Sequence, residues 1–161
     1  PLQMEELRVS DLIHSTLNLV KKEAAKRAIA ITTAFPQSEI FIRADAGRLR
    51  QVFLNLILNA MEAIDAKGEI AVALEMQTDG KDRPARLVIN VKDDGPGIPP
   101  GHLNKIFDPF FTTKKVGTGL GLAVCQRIIQ DHDGMIEVES RENAGATFRI
   151  TLPVSAPDAA A

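Results

Sequence analysis

A chain of 161 residues, 45% of them hydrophobic, is long enough to bury most of the surface its unfolded form would expose. Nineteen basic against twenty-one acidic residues, a net charge of -2, leave no polycationic face for nucleic acid, so any phosphate binding must be local. A single cysteine, Cys125, excludes an internal disulfide and fits a reducing compartment, and no apolar run approaches the ~20 residues that cross a bilayer.

The opening PLQMEELRVSD lacks a signal peptide's apolar core, and residues 1–9 read as a linker or the stub of an upstream element. From Ser10, a plausible N-cap, Ile13, Leu17, Val20 and Ala24 recur at helical spacing and predict a helix to about Arg27. His14 lies beside that stripe and reads as a helix-surface residue. Two β-rich runs, Ala28 to Phe35 and Glu39 to Arg43, are split by a turn at Pro36. Asp45 then caps a long helix through about Asp65 that ends before Gly68. At ~100° per residue, Arg48, Gln51, Asn55, Asn59 and Glu62 form one polar ridge opposite Leu49, Val52, Phe53, Leu56, Ile57, Ala60 and Ile64. Such ridges are most often solvated, yet asparagine is a middling helix former where Lys or Glu would serve solvent better.

Glu69 to Gln77 and Arg86 to Asp93 predict a hairpin that places the Asp93 carboxylate at a strand end. An ionised carboxylate only accepts hydrogen bonds and therefore suits an exocyclic amine. Ile98-Pro-Pro-Gly leads to a short helical stretch, His102 to Phe107, and then to an apolar knot at Ile106 to Phe111 and a lid over Thr112 to Val116. Glycines cluster at Gly95/Gly97 and Gly117/Gly119/Gly121, where main chain can approach a ligand closely. The second cluster feeds a helix through about Asp131, and backbone N–H groups at such a start bind phosphate. A dinucleotide fingerprint would need glycine at Leu122, and a Walker loop would need Gly-Lys-Ser/Thr where Gly121-Leu122-Ala123 stands. Gly134 fits a C-cap, with His132 as a cap or dipole partner beside it. Met135 to Ser140 and Ala146 to Leu152 close the sheet, and residues 154–161 are expected to be a disordered tail.

Asn55 and Asn59, Asp93-x-Gly95-x-Gly97, the phenylalanine cluster Phe107 to Phe111 and Gly117-x-Gly119-x-Gly121 occur in the order of four boxes. On these residues the chain resembles the ATP-binding domain of sensor histidine kinases, in the superfamily shared with gyrase, mismatch-repair ATPases and an ATP-driven chaperone. NAMEA, IFDPFFTTK and GTGLGLAV look most like its nitrogen-regulation branch. The resemblance covers roughly Ser10 to Pro153 and implies one ATP-binding domain over residues 10–153. Its fold would be a two-layer α/β sandwich of the Bergerat type: a mixed sheet of about five strands, three main helices on one face, and the nucleotide between helices and lid.

The resemblance further implies magnesium at Asn59 with Asn55 beside it, and the adenine amine at Asp93. Nucleotide contacts would extend to Gly95, Gly97, Ile98 and Phe107, to Thr113 and Lys114 in the lid, to Gly117, Thr118, Gly119, Leu120, Gly121 and Leu122, and to Thr147. Three departures stand out. Glu62 occupies a position that is often cationic, so Lys114 is the candidate for γ-phosphate charge compensation, with Asn55 and Asn59 as the other catalytic residues. Asp94 replaces a frequent asparagine. Gly145-Ala146-Thr147-Phe148 has alanine in place of the last box's threonine.

The implied function is transfer of the γ-phosphoryl group of Mg-ATP to a histidine on a separate dimerisation domain, and from there to a response regulator. The implied protein is dimeric in full length, the fragment monomeric, cytoplasmic, and without direct membrane contact, although a parent protein could be anchored elsewhere. An anti-sigma-type serine kinase and a nucleotide-gated interaction module are the alternatives within the same fold.

Overall fold

The computed structural model describes residues 1–78, 85–112 and 121–154. In chain order the elements are β1 (Glu5–Arg8), α1 (Val9–Lys26), β2 (Ile29–Ala34), β3 (Phe41–Ala44), α2 (Ala46–Ile64), β4 (Gly68–Gln77), β5 (Arg86–Asp93), α3 (Gly121–Asp131), β6 (Met135–Ser140) and β7 (Ala146–Pro153). Five strands make the main sheet in the order β2-β4-β5-β7-β6. β2 runs parallel to β4 and the other neighbours are antiparallel, so the sheet is mixed as expected.

Period-two alternation decides which face is covered. Ile70, Val72 and Leu74 on β4, Leu87, Ile89 and Val91 on β5, and Ala146, Phe148, Ile150 and Leu152 on β7 are buried in one core with the helices. Each such side chain removed from water contributes about 1.5–3 kcal/mol. Their alternates, among them Glu69, Glu75, Lys92 and Arg149, face away from the helices.

On α1 the buried stripe is Val9, Leu12, Ile13, Thr16, Val20 and Ala24. The expected Ser10 cap is not made: the helix begins after Arg8, and the Ser10 hydroxyl donates to Glu39 Oε2 at 2.8 Å. Asp45 does cap α2, its Oδ1 accepting the Arg48 N–H at 3.1 Å. Leu49, Val52, Phe53, Leu56, Ile57, Ala60 and Met61 form the buried face of α2, while Ile64 is only partly covered. α3 ends in a Schellman-type turn in which Gly134 N–H reaches Ile129 O at 2.9 Å. The left-handed residue of that turn is Asp133, at φ 58, not Gly134. Glycine at 134 answers to space, because a Cβ there would lie 2.5 Å from the Thr151 carbonyl oxygen.

Residues 1–9 are not simply a linker: Glu5–Arg8 pairs antiparallel with β3 in a separate two-stranded sheet, Leu7 opposite Ile42. Leu7 packs on the core and the Arg8 guanidinium lies 5.4 Å from the centre of the Phe41 ring, so the strand has a packing reason. The predicted runs β2 and β3 consequently enter different sheets. His102 to Phe107 forms successive turns, His102 N–H to Pro99 O, Lys105 N–H to His102 O and Asp108 N–H to Lys105 O, in place of a helix. Two consecutive prolines supply no N–H, and Ile106 is the stretch's one fully buried anchor. Val154, assigned to the tail, donates its N–H to Ala85 O at 3.1 Å.

Candidate functional site

β5 is long enough to carry its alternation through Leu87, Ile89 and Val91 to Asp93, so this last carboxylate points toward the helix layer. Asp93 is 5% exposed. Its Oδ1 accepts the Gly95 N–H at 2.9 Å. Burial raises its pKa above the ordinary aspartate value and neighbouring Asp94 adds to the rise, while backbone N–H groups of Gly95 and Ala146 pull it down. A buried carboxylate with lone pairs still available is a strong acceptor for a ligand donor. Asp94 is engaged elsewhere, its Oδ1 accepting the Glu69 N–H at 2.9 Å at the start of β4.

The loop that follows Asp93 is locked to the β6–β7 turn. Gly97, at φ 78, sits where a Cβ would run into the Arg141 carbonyl, and Gly145, also at φ 78, sits where one would run into the Asp93 carbonyl. Asn143 N–H donates to Pro96 O at 2.6 Å. The Ser140 hydroxyl accepts the Ile98 N–H at 2.7 Å and donates to Gly145 O at 2.8 Å. Gly95 packs over the last turn of α2, a Cβ there lying 3.3 Å from the Ala63 backbone.

α2 brings its asparagines to the same region. Asn55 and Asn59 are half-buried, whereas Arg48, Gln51 and Glu62 on the same ridge are exposed. The Asn55 amide donates to Gly121 O at 3.4 Å, joining mid-α2 to the first residue of α3. Glycine at 121 suits that neighbour, since a Cβ would stand 3.0 Å from Asn55 Oδ1 and push the amide aside. Beneath Asn55, Cys125 is fully buried. Burial pushes its thiol up to about 12 against a hydrogen bond from Asn55, so it packs as a small apolar group and is no nucleophile.

The phenylalanine cluster divides. Phe107 is half-buried and meets Phe148 edge-on at 6.3 Å, Phe111 stacks edge-on to His102 at 5.3 Å, and Phe110 is 73% exposed. Ile98 and Leu122 are half-buried against the core. Thr147 is not brought to the site. It alternates with buried Ala146 and Phe148, and it lines a shallow depression with Glu137, Glu139 and Arg149 on the opposite sheet face. Ala146, the strand neighbour of Asp93, holds the site-facing position instead. Thr113, Lys114, Gly117, Thr118, Gly119 and Leu120 lie outside the described residues.

The family model for histidine kinase-, DNA gyrase B- and HSP90-like ATPases matches residues 44–156, from the end of β3 past β7, and so takes in every part of this site. The chain belongs to that ATPase family. The family implies that the domain binds ATP. The chain is 46% identical over 155 residues to the sensor histidine kinase ZraS of Salmonella typhimurium, which is 96% of this chain but 32% of that protein. It thus spans about a third of the length of that curated relative. The nucleotide-free catalytic domain of the histidine kinase ThkA superposes with a TM-score of 0.84 at 35% identity, covering 96% of this chain and all of the other. ThkA in complex with the response regulator TrrA matches at 0.78 and 32%, covering 94% of this chain and 42% of that one.

Two residues of the ATPase domain escaped the sequence reading. Ser140 looked like an ordinary strand end, and no local signal marks its double bond to the adjoining loops. His132 was read as a helix cap; it does contact Ile128 O at 2.8 Å, but it is also 5% exposed and bonded to Asp45 across the fold. Its position one helical turn past Ile128 and Ile129, in line with their apolar stripe, was the available sign of burial.

Proposed function

We propose that this chain is the catalytic domain of a two-component sensor histidine kinase. It binds Mg-ATP and delivers the γ-phosphoryl group to a histidine on a separate helical dimerisation domain, which in turn serves a response regulator. The observation that carries this reading is the buried, pKa-raised Asp93 carboxylate, fixed by Gly95 and backed by the interlocked 93–98 and 140–145 loops. Adenine offers an amine donor to it, whereas guanine would set a carbonyl oxygen against it and leave a desolvated charge unpaired.

The remaining residues have complementary tasks. Asn55 ties α2 to the start of α3, whose first-turn N–H groups would meet the phosphates. The Asn59 amide oxygen is a hard donor one turn further along α2, and among the described residues no trio of His, Cys, Asp or Glu side chains competes for a metal. That donor set fits magnesium, which takes few protein ligands and completes its shell with phosphate and water. Magnesium would supply charge neutralisation on the phosphates. Lys114 would add a cation at the γ-phosphate from the lid.

The acceptor belongs to another domain. His132 has both ring nitrogens engaged, His102 packs against Phe111, and His14 lies on α1 against Phe35. Attack by an imidazole nitrogen on the γ-phosphorus breaks its bond to the β–γ bridging oxygen and releases ADP, which needs an imidazole in line with that bond. The likeness to ThkA, crystallised with a response regulator, supports the downstream partner, and ZraS supports a kinase over an anti-sigma factor or a passive module. The domain would work in the cytoplasm on cellular ATP; no helix among the described residues is long and apolar enough to cross a membrane. Dimerisation would reside in the acceptor domain. Calorimetric titration with Mg-ATP and Mg-GTP tests the reading: ATP should bind at least about tenfold tighter, by the value of a charge-assisted hydrogen bond. Equal affinities would refute it.

A further inference from the structure

His132 stands just beyond α3, 5% exposed, with both ring nitrogens bonded. The Asp45 backbone N–H donates to Nε2 at 3.0 Å, and Nδ1 lies 2.8 Å from Ile128 O. A backbone N–H can only donate and a carbonyl only accept, so Nε2 is the bare nitrogen and Nδ1 carries the proton. The ring therefore links the last turn of α3 to the N-cap residue of α2. At the other end of α3, the Asn55 amide from the middle of α2 donates to Gly121 O, the first residue of α3, at 3.4 Å.

The spacing of these two bonds is matched. Asp45 to Asn55 is ten residues, ~15 Å along α2, and Gly121 to His132 is eleven residues, ~16 Å along α3. With α3 tied at both of its ends to the N-terminal half of α2, over equal lengths, the two antiparallel helices cannot slide past one another without breaking one bond. We infer that His132 is a positioning residue for the nucleotide site: with Asn55 it fixes the axial register of α3 on α2, and so the place of the helix start that meets the phosphates. This rests on the nucleotide reading above for its consequence, though the clamp itself does not. Residues of the buried core hold the two helices together, and the two directional bonds select one axial register among those that packing would allow.

Two substitutions separate the ring's two bonds. His132→Asn keeps an amide donor near the Nδ1 position and cannot reach Asp45; His132→Gln places an amide oxygen near Nε2. Amide hydrogen exchange on the ligand-free protein reads the clamp, at Asp45 and at Cys125, whose N–H is the first to have an i−4 carbonyl within α3. NMR titrations with Mg-ATP and with AMP read the site. For His132→Asn, exchange at both amides should accelerate and Mg-ATP affinity should fall by about tenfold each, the scale of a lost buried hydrogen bond, while AMP affinity stays within about twofold. His132→Gln should restore all of these to within about threefold of the parent. Parent-like exchange in the Asn variant, a parallel loss of AMP, or a Gln variant as impaired as Asn would overturn the assignment. A parent protein that bound no ATP would refute the proposed function, and exchange at Cys125 would still decide the clamp.

Discussion

Replacing Asp93 by asparagine separates recognition from stability at a single atom. The Gly95 N–H lies 2.9 Å from Asp93 Oδ1, so the amide oxygen of the variant keeps that bond and the amide nitrogen takes the place of the second carboxylate oxygen. A donor then faces the adenine amine, which is itself a donor. Loss of a hydrogen bond to a charged acceptor costs about 1.5–3 kcal/mol, so Mg-ATP affinity should drop at least about tenfold. Guanine, with a carbonyl at that position, should lose less or gain, narrowing the preference for ATP. Stability is a separate readout. Burial raises the folded-state pKa of Asp93, so below the unfolded value it carries no penalty, and the penalty grows as pH rises through the folded value. Asparagine removes that penalty but turns a donor toward the Ala146 N–H that the carboxylate accepts, so the variant should melt close to the parent at neutral pH and below it in acid, where the parent carries no penalty. By the same shift, parent ATP affinity should fall as pH drops through a range above the ordinary aspartate value, while the variant shows no such limb. Isothermal titration with both nucleotides and melting curves across pH measure all of this. Unchanged ATP affinity in a variant with native-like melting would refute the role given to Asp93.

Asn59→Ala should leave the melting temperature near the parent's, weaken ATP binding in magnesium sharply, and change metal-free ADP binding much less; equal weakening in both conditions would make the asparagine structural. Ser140→Ala removes one acceptor and one donor between Ile98 and Gly145, and should cost about 1–2 kcal/mol, or ~2–8 °C of melting temperature, together with part of the ATP affinity. Differential scanning calorimetry reads the first and titration the second; a variant indistinguishable from the parent in both would mean that the paired glycine turns hold the loop unaided.

Much of the fold was legible because its long elements are strongly periodic. The buried face of α2 and the alternation of β4 and β5 follow from residue spacing alone, and Asp45 is a cap by its chemistry and place. β1 was missed because four residues with a single apolar side chain carry too little pattern; its pairing with β3 comes from Leu7 meeting a core built by residues far along the chain. Asp133 took the left-handed position that glycine would ordinarily claim, since the tight contact of Gly134 with β7 fixed where glycine had to go. The face of Thr147 was readable and misassigned: Phe148 is core, so its neighbour must point outward. The asparagines and Asp93 were recognisable as a set only through the order of the boxes, because their meeting depends on the sheet register and on how α2 and α3 lie together. His132 is bonded to a backbone group 87 positions away, which no local pattern encodes.

Under the proposed function this chain donates a phosphoryl group and does not receive it. The most direct test is incubation with γ-labelled ATP and magnesium, alone and with the acceptor domain of its full-length protein added in trans, followed by measurement of acid-labile label on each polypeptide. The account predicts no such label on this chain in either case, and label on the added domain at the expense of ATP. Stable phosphohistidine on this chain, or an acceptor domain that stays unlabelled while ATP is demonstrably bound, would contradict it.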